Sequence, residues 1–303
     1  MSQNTPQEQK KIELIIIGAQ KAGTTSLKNY LGQHPALQAH PQKEFSFFFD
    51  KNEYNAGFNT AFRKYYNECA PNIRLIAKNA GLYVNPEGLG RLKEHNPACK
   101  LVLILRNPVE RTYSSFLMEK NYGSIKTSFD IIESVIEKSD PTDWRYEFFV
   151  GMSLYAKAIA NVYKHFPKTA LHIVRYEEFS ENPVKVCQEV YRFLNIDPSF
   201  APDTSVRHNE TRVTHSNTYG RLIRRLLDND NPIKKLSRIA IPRKMDYKLG
   251  ELFRGINRSN KKYAPMPPVI ESRLIEFYRP HNEHLSELTG IDFSGWNQST
   301  QES

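Results

Sequence analysis

The chain of 303 residues carries 39% hydrophobic and 12% aromatic residues, enough for a sizeable core and too many for a disordered chain. Lys and Arg exceed Asp and Glu by nine, and Arg221 to Lys262 holds 13 basic against 4 acidic residues, leaving the remainder balanced at 29 each. No apolar run approaches the ~20 residues that span a bilayer, Met1 to Lys11 lacks the apolar centre of a signal peptide, and Cys69, Cys99 and Cys187 have neither disulfide-framework nor zinc spacing.

These features predict a reduced, cytoplasmic protein without a transmembrane segment. Ile12 to Ile17 is a short β-branched run that reads as a buried strand. Gly18 to Gly23 is a turn, and Thr24, Thr25 and Ser26 open a helix to about Gln33, ended by Gly32 and Pro35. The Phe45–Phe49 stretch and Leu75 to Ala77 are weaker strand candidates. Leu101 to Leu105 is a second buried strand, and Pro108 opens a helix to about Lys120. A long helix from Phe148 to Phe166 precedes a third strand, Ala170 to Val174. Residues 201–262 are the least periodic part. Ile270, Leu274 and Phe277 then mark an amphipathic helix, interrupted or kinked at Pro280. Strands alternating with helices predict a single α/β domain over 12–297, with a mainly parallel central sheet flanked by helices. Residues 1–11 and 298–303 are expected to be tails.

Gly18-Ala-Gln-Lys-Ala-Gly-Thr-Thr-Ser26 lies between a strand and a helix, where small residues and a helix start suit a phosphate group. It departs from GxxxxGK[ST]: Thr24 stands where the lysine belongs, and the lysine has moved to Lys21. The strand Leu101–Leu105 runs into Arg106, not into a magnesium-holding aspartate, so no metal is expected. Arg106 at a strand's carboxyl end and Ser114, two helical turns on, offer a forked cation and a hydroxyl to a second phosphate. A surface ion pair is the plainer reading of Arg106 alone.

On these residues the chain resembles the sulfotransferases that use 3′-phosphoadenosine 5′-phosphosulfate (PAPS). IIIGAQKAGTTSL is similar to their 5′-phosphosulfate loop and LILRNPVERTYSSF to their 3′-phosphate motif. HPQKEFSFFF, RYEEFSENP and RLIEFYRPHNEHLSELTGIDFSGW extend the likeness from residue 12 to 296, closest to the heparan sulfate branch and its bacterial relatives. The resemblance implies an enzyme that transfers a sulfuryl group in line from PAPS to an acceptor hydroxyl, releasing adenosine 3′,5′-bisphosphate (PAP). Gln20, Lys21, Ala22, Gly23, Thr24, Thr25 and Ser26 would hold the 5′-phosphosulfate, and Arg106 and Ser114 the 3′-phosphate. Lys21 would stabilise the leaving oxygen, restrained by Ser114 until acceptor binds. Glu44 of KEFSFFF matches the branch's general base; beside four phenylalanines its carboxylate is expected to be partly desolvated. The alternative is an acid paired with Lys43. His34 and His40 are weaker candidates for the base, the former a structural helix stop.

Lys78 matches a substrate-side lysine of the motif KxPxY, although the proline is missing and Gly81 replaces one of its residues. The family's late Lys-Gly-Arg loop reads Asn260-Lys261-Lys262, so Lys261 or Lys262 would meet phosphate without a guanidinium fork. Tyr176 and Glu177 are expected at the packing or ribose end of the site. Phe45, Phe47, Phe48 and Phe49 are expected in the core and acceptor wall, and Trp144 and Trp296 in packing. The branch makes a carbohydrate the expected acceptor, an anionic glycan suiting the basic segment; a lipid, polyketide or small alcohol is the alternative. A P-loop kinase or NTPase would need a lysine at position 24. A nucleic-acid partner is not expected, since no such motif is visible.

Overall fold

The structure, a computed structural model, describes residues 10–205 and 264–299. Five strands form one parallel sheet: β1 (Ile12–Gly18), β2 (Leu37–Ala39), β3 (Arg74–Lys78), β4 (Lys100–Leu105) and β5 (Leu171–Arg175). Their spatial order is β2-β3-β1-β4-β5. Ile15 pairs with Ala77 on one side and Leu101 on the other, so β1 is the central strand. Its Ile12 and Leu14 to Ile17 are fully buried, which is why Leu14 to Ile17 reads as an unbroken apolar run. Burying each such side chain contributes ~1.5–3 kcal/mol.

The helices are α1 (Thr24–Leu31), α2 (Lys51–Asn55), α3 (Phe58–Tyr65), α4 (Pro86–His95), α5 (Pro108–Asn121), α6 (Ile131–Lys138), α7 (Tyr155–His165), α8 (Tyr176–Glu181), α9 (Pro183–Phe193) and α10 (Pro268–Thr289). Asn107 caps α5, its side chain accepting from the Val109 N–H, and Pro108 fills the first helical position. The α/β domain expected from the sequence is built of two compact units: 1–106 with 157–209, and 107–156 with 210–303. The first carries the whole sheet. In the second, Val109, Phe116, Phe129, Ile132, Phe149, Leu274 and Tyr278 form an aromatic-rich core.

Several expectations need correction. The Phe45–Phe49 stretch is not a strand but bends and turns, with Phe45, Phe47 and Phe48 buried against one another. β2 is an added strand of only three residues. The long helix from Phe148 is broken: Tyr146–Val150 is wound as a π-helix and Gly151–Ser153 as a 3₁₀ turn before α7 begins. α10 runs through Pro280 without interruption. Trp296 is buried as expected, whereas Trp144 is 53% exposed.

Candidate active site

The strand order reverses at β1: the chain builds β2 and β3 on one side, then β4 and β5 on the other. Ligands bind in open α/β sheets at such a reversal, beyond the carboxyl ends of the strands. Gly18 ends β1, Lys78 ends β3 and Arg106 follows β4. Gly18, Lys78 and Arg106 therefore share the carboxyl edge of the sheet in the first unit.

The loop after β1 is held by its own backbone. Ala19 N–H donates to Ile104 O at 2.7 Å and Ala22 N–H to Ala19 O at 3.2 Å. Lys21 and Gly23 both take left-handed φ values, 73° and 82°. At Lys21 this costs ~1–2 kcal/mol, a strain typical of ligand-binding turns. Gly23 caps α1 without a side chain, and the first helical bond is Leu27 N–H to Gly23 O. The amides of the first turn thus precede the helix ladder and face the loop end with its partial positive charge. A Cβ on Gly18 would lie 2.4 Å from the Tyr83 ring, and one on Gly23 3.0 Å from Phe179, so both glycines serve close approach.

Arg106 ties the end of β4 to the loop after β1. Its Nη1 donates to Lys21 O at 3.3 Å, and its guanidinium lies 4.8 Å from the centre of the Tyr176 ring. Tyr176, at the start of α8, therefore braces the arginine. Ser114 sits on α5 in the second unit, buried. Lys261, Lys262 and the basic 221–262 segment lie outside the described residues.

On the β3 side, Lys78 is 1% exposed, and its Nζ donates to Glu44 Oε1 at 2.6 Å and to Thr25 Oγ1 at 3.3 Å. Burial lowers the Lys78 pKa; Glu44 opposes that shift and Lys43 adds to it. Glu44 Oε2 accepts the Ala80 N–H at 3.0 Å. The Glu44 side chain is 35% exposed. It is thus a carboxylate pinned at both oxygens with an open side, not an acid enclosed by phenylalanines, and its partner is Lys78 rather than Lys43. Phe49 alone of the four rings is exposed.

The histidines have structural partners. His34 Nδ1 accepts the Ala36 N–H at 3.1 Å, and Nε2 meets Asp197 O. His40 is 1% exposed, and its Nε2 accepts the Lys78 N–H at 3.2 Å. Burial, then the Lys28 and Lys78 charges, hold its pKa well below the usual value.

The sequence reading missed Lys28. Its Nζ donates to His40 O and Gln42 O, each at 2.8 Å. The signal was available: Thr24, Leu27, Lys28 and Leu31 form the buried stripe of α1 at helical spacing.

Gln20 Oε1 is buried with no hydrogen-bond partner. That orphaned acceptor, the glycine approach sites and the first-turn amides fit a ligand carrying phosphate and donor groups. Among the described residues no cluster of His, Cys, Asp or Glu could hold a metal ion, and no helix is long and apolar enough to cross a membrane.

The candidate site thus combines a parallel α/β sheet, a glycine-bounded loop at its reversal, an arginine beside that loop and a lysine-paired carboxylate. The chain belongs to the sulfotransferase family: the family model of the sulfotransferase domain matches residues 11–222. It is 25% identical over 218 residues to a Drosophila melanogaster bifunctional heparan sulfate N-deacetylase/N-sulfotransferase, covering 65% of this chain and 21% of that protein. It is 23% identical over 279 residues to Homo sapiens heparan sulfate glucosamine 3-O-sulfotransferase 5, covering 91% and 71%. The chain thus spans only about a fifth of the first relative. A sulfotransferase structure from Alicyclobacillus acidocaldarius has the same fold, with a TM-score of 0.67, 20% identity, and coverage of 95% and 99%.

Proposed function

We propose that this sulfotransferase moves a sulfuryl group from PAPS to a hydroxyl of a carbohydrate, with Glu44 as base and Lys21 at the leaving oxygen. The observation that carries it is the contact chain Glu44–Lys78–Thr25, which sets a carboxylate beside the phosphate loop. PAPS, when bound, supplies an activated sulfuryl group on a phosphate leaving group. The loop from Gln20 to Ser26 holds the 5′-phosphosulfate end by its amides and hydroxyls. Arg106 takes the 3′-phosphate through a planar fork.

A carboxylate offers about four lone-pair directions, and Lys78 and Ala80 engage two of them. Glu44 therefore keeps room to accept the acceptor's proton as the new O–S bond forms. Lys21 donates a hydrogen bond to the oxygen on which charge develops, a role worth ~10²–10³ in rate. Lys78 orients Glu44 while neutralising it. Carbohydrate is supported by the names of the relatives, which act on heparan sulfate. A cytoplasmic setting belongs to the same proposal, supported by three cysteines that stand as free thiols.

The test combines binding and transfer. PAP without magnesium should raise the melting temperature, and Mg-ATP should do so much less, because a ligand of the native state stabilises it by mass action. Radiolabelled PAPS should then label de-O-sulfated heparan sulfate in preference to lipid or small-alcohol pools. An equal shift with Mg-ATP would overturn the PAPS assignment, and label confined to lipids or small alcohols would overturn the carbohydrate.

A further inference from the structure

Lys28 is a buried cation with no part in the mechanism above. It is 2% exposed, and burial lowers its pKa to about 8, with Lys78 adding to the shift and Glu44 opposing it. Its hydrogen-bond partners are two main-chain carbonyls, His40 O and Gln42 O. An apolar side chain at this place on α1 would pack without the desolvation cost of an ammonium. Lysine here therefore works against stability, and its contacts show where the return lies.

Those carbonyls flank Pro41, three residues before Glu44. The same segment is fastened to β3 at two points: His40 Nε2 accepts the Lys78 N–H, and Phe45 N–H donates to Lys78 O at 2.7 Å. Residues 40–45 are thus clamped between α1 and β3, with Glu44 inside the clamp. α1 is also the helix whose first turn forms the phosphate loop. We propose that Lys28 is a positioning residue, fixing Glu44 relative to the phosphate loop by tying the His40–Gln42 carbonyls to α1. This rests on the sulfotransferase reading and deepens it: base and donor loop are held in register by one buried side chain. Without Lys28 the segment keeps its fastening to β3 but loses its tie to α1.

The test uses Lys28→Met, which keeps length and burial but removes the donors. Hydrogen exchange at the Ala80 amide, which is bonded to Glu44 Oε2, reads the carboxylate's position without any acceptor. In the PAP-bound protein it should rise ~10-fold, toward the rate in Glu44→Ala. Transfer from PAPS to de-O-sulfated heparan sulfate should fall ~10–100-fold in kcat, the loss expected for charged hydrogen bonds. PAP affinity should stay within about twofold, and so should release of PAP by water. In a Glu44→Gln background the same substitution should add no further loss, because it acts through Glu44. Lys28→Arg, which keeps the donors, should recover much of the transfer. Additive losses, or unchanged Ala80 exchange, in an enzyme that binds PAP and turns over PAPS overturn the positioning role alone. A wild type that does neither overturns the sulfotransferase reading instead. If neither Lys28→Met nor Lys28→Arg folds, Lys28 belongs to the stability of α1 and the proposal fails.

Discussion

The first unit buries Lys78 at the end of β3, and the second buries Arg111 on α5, each within 1% of complete burial. Arg111 spends its donors on neutral acceptors: Phe149 O and Ser153 Oγ at 3.0 Å, and Phe148 O at 3.1 Å. Those acceptors belong to the irregular Tyr146–Ser153 stretch, whose carbonyls a regular helix ladder does not absorb. Arg111 is therefore a scaffold cation. Lys78 instead meets a carboxylate whose other face is open. A buried charge becomes chemically useful when its partner remains reachable, as it does at the sheet edge. Lys28, buried on carbonyls like Arg111 but next to Lys78, stands between the two cases.

The sharpest way to break this contrast is Glu44→Gln. It keeps the shape but cannot accept a proton, so transfer should fall by ~10²–10⁴. PAP affinity measured by titration calorimetry should barely change, since Glu44 lies outside both phosphate motifs. Unchanged turnover would remove Glu44 as base. His40 would be a poor replacement, because its Nε2 already accepts the Lys78 amide.

Arg111→Met probes the scaffold side. It strands the Phe148 carbonyl, while Phe149 O keeps the Thr112 hydroxyl, so the second unit should lose about 1–3 kcal/mol of stability. Denaturant midpoints measure that loss. A variant with full stability but lost transfer would make Arg111 part of the site and erase the contrast.

Much of this contrast was legible in the sequence, for a physical reason. β1 and β4 are short, mainly apolar runs, as strands covered on both faces must be, whereas β5 at the sheet's end is half-buried and carries His172 and Arg175. Gly18 to Ser26 and Arg106 follow from such strands, so their place at the sheet's carboxyl edge was readable. The Glu44 side was not. Its partner Lys78 lies 34 residues away, paired through the fold, whereas sequence proximity pointed to Lys43. The Phe45–Phe49 run looked like a strand because aromatic residues favour sheets. Here the rings pack as a cluster with Tyr65, and Phe45 N–H bonds only to Lys78 O at the sheet's edge. Lys28 was hidden by its charge, since an apolar-stripe reading passes over a lysine.

Arg106→Ala sharpens the phosphate half of the comparison. The guanidinium is braced by Tyr176 and by Lys21 O, so its removal should weaken PAP binding ~10–100-fold, the range for a lost charge-assisted hydrogen bond. Melting shifts with and without PAP provide the measurement. Affinity unchanged by the substitution would return Arg106 to an ordinary loop-bracing role.

The smallest expected effect concerns pH and separates Lys28 from Arg111. Native Lys28 releases its proton near pH 8, against an ordinary lysine value of 10.5. Between those values the unfolded chain binds more protons than the native protein, so stability from this group rises with pH. Below pH 8 the ammonium is present in both states and its burial cost is borne in full. Lys28→Met removes the group, so the stability difference between wild type and variant should shift in favour of wild type by about 1 kcal/mol from pH 7 to pH 9. Taking that difference cancels titrations common to both proteins. Arg111→Met should show no such dependence over this range, because a guanidinium stays protonated throughout. Urea denaturation at pH 7, 8 and 9 measures both slopes. A flat difference for Lys28→Met would mean that the ammonium is stabilised by more than two carbonyls, and that Lys28 belongs with the scaffold cations after all.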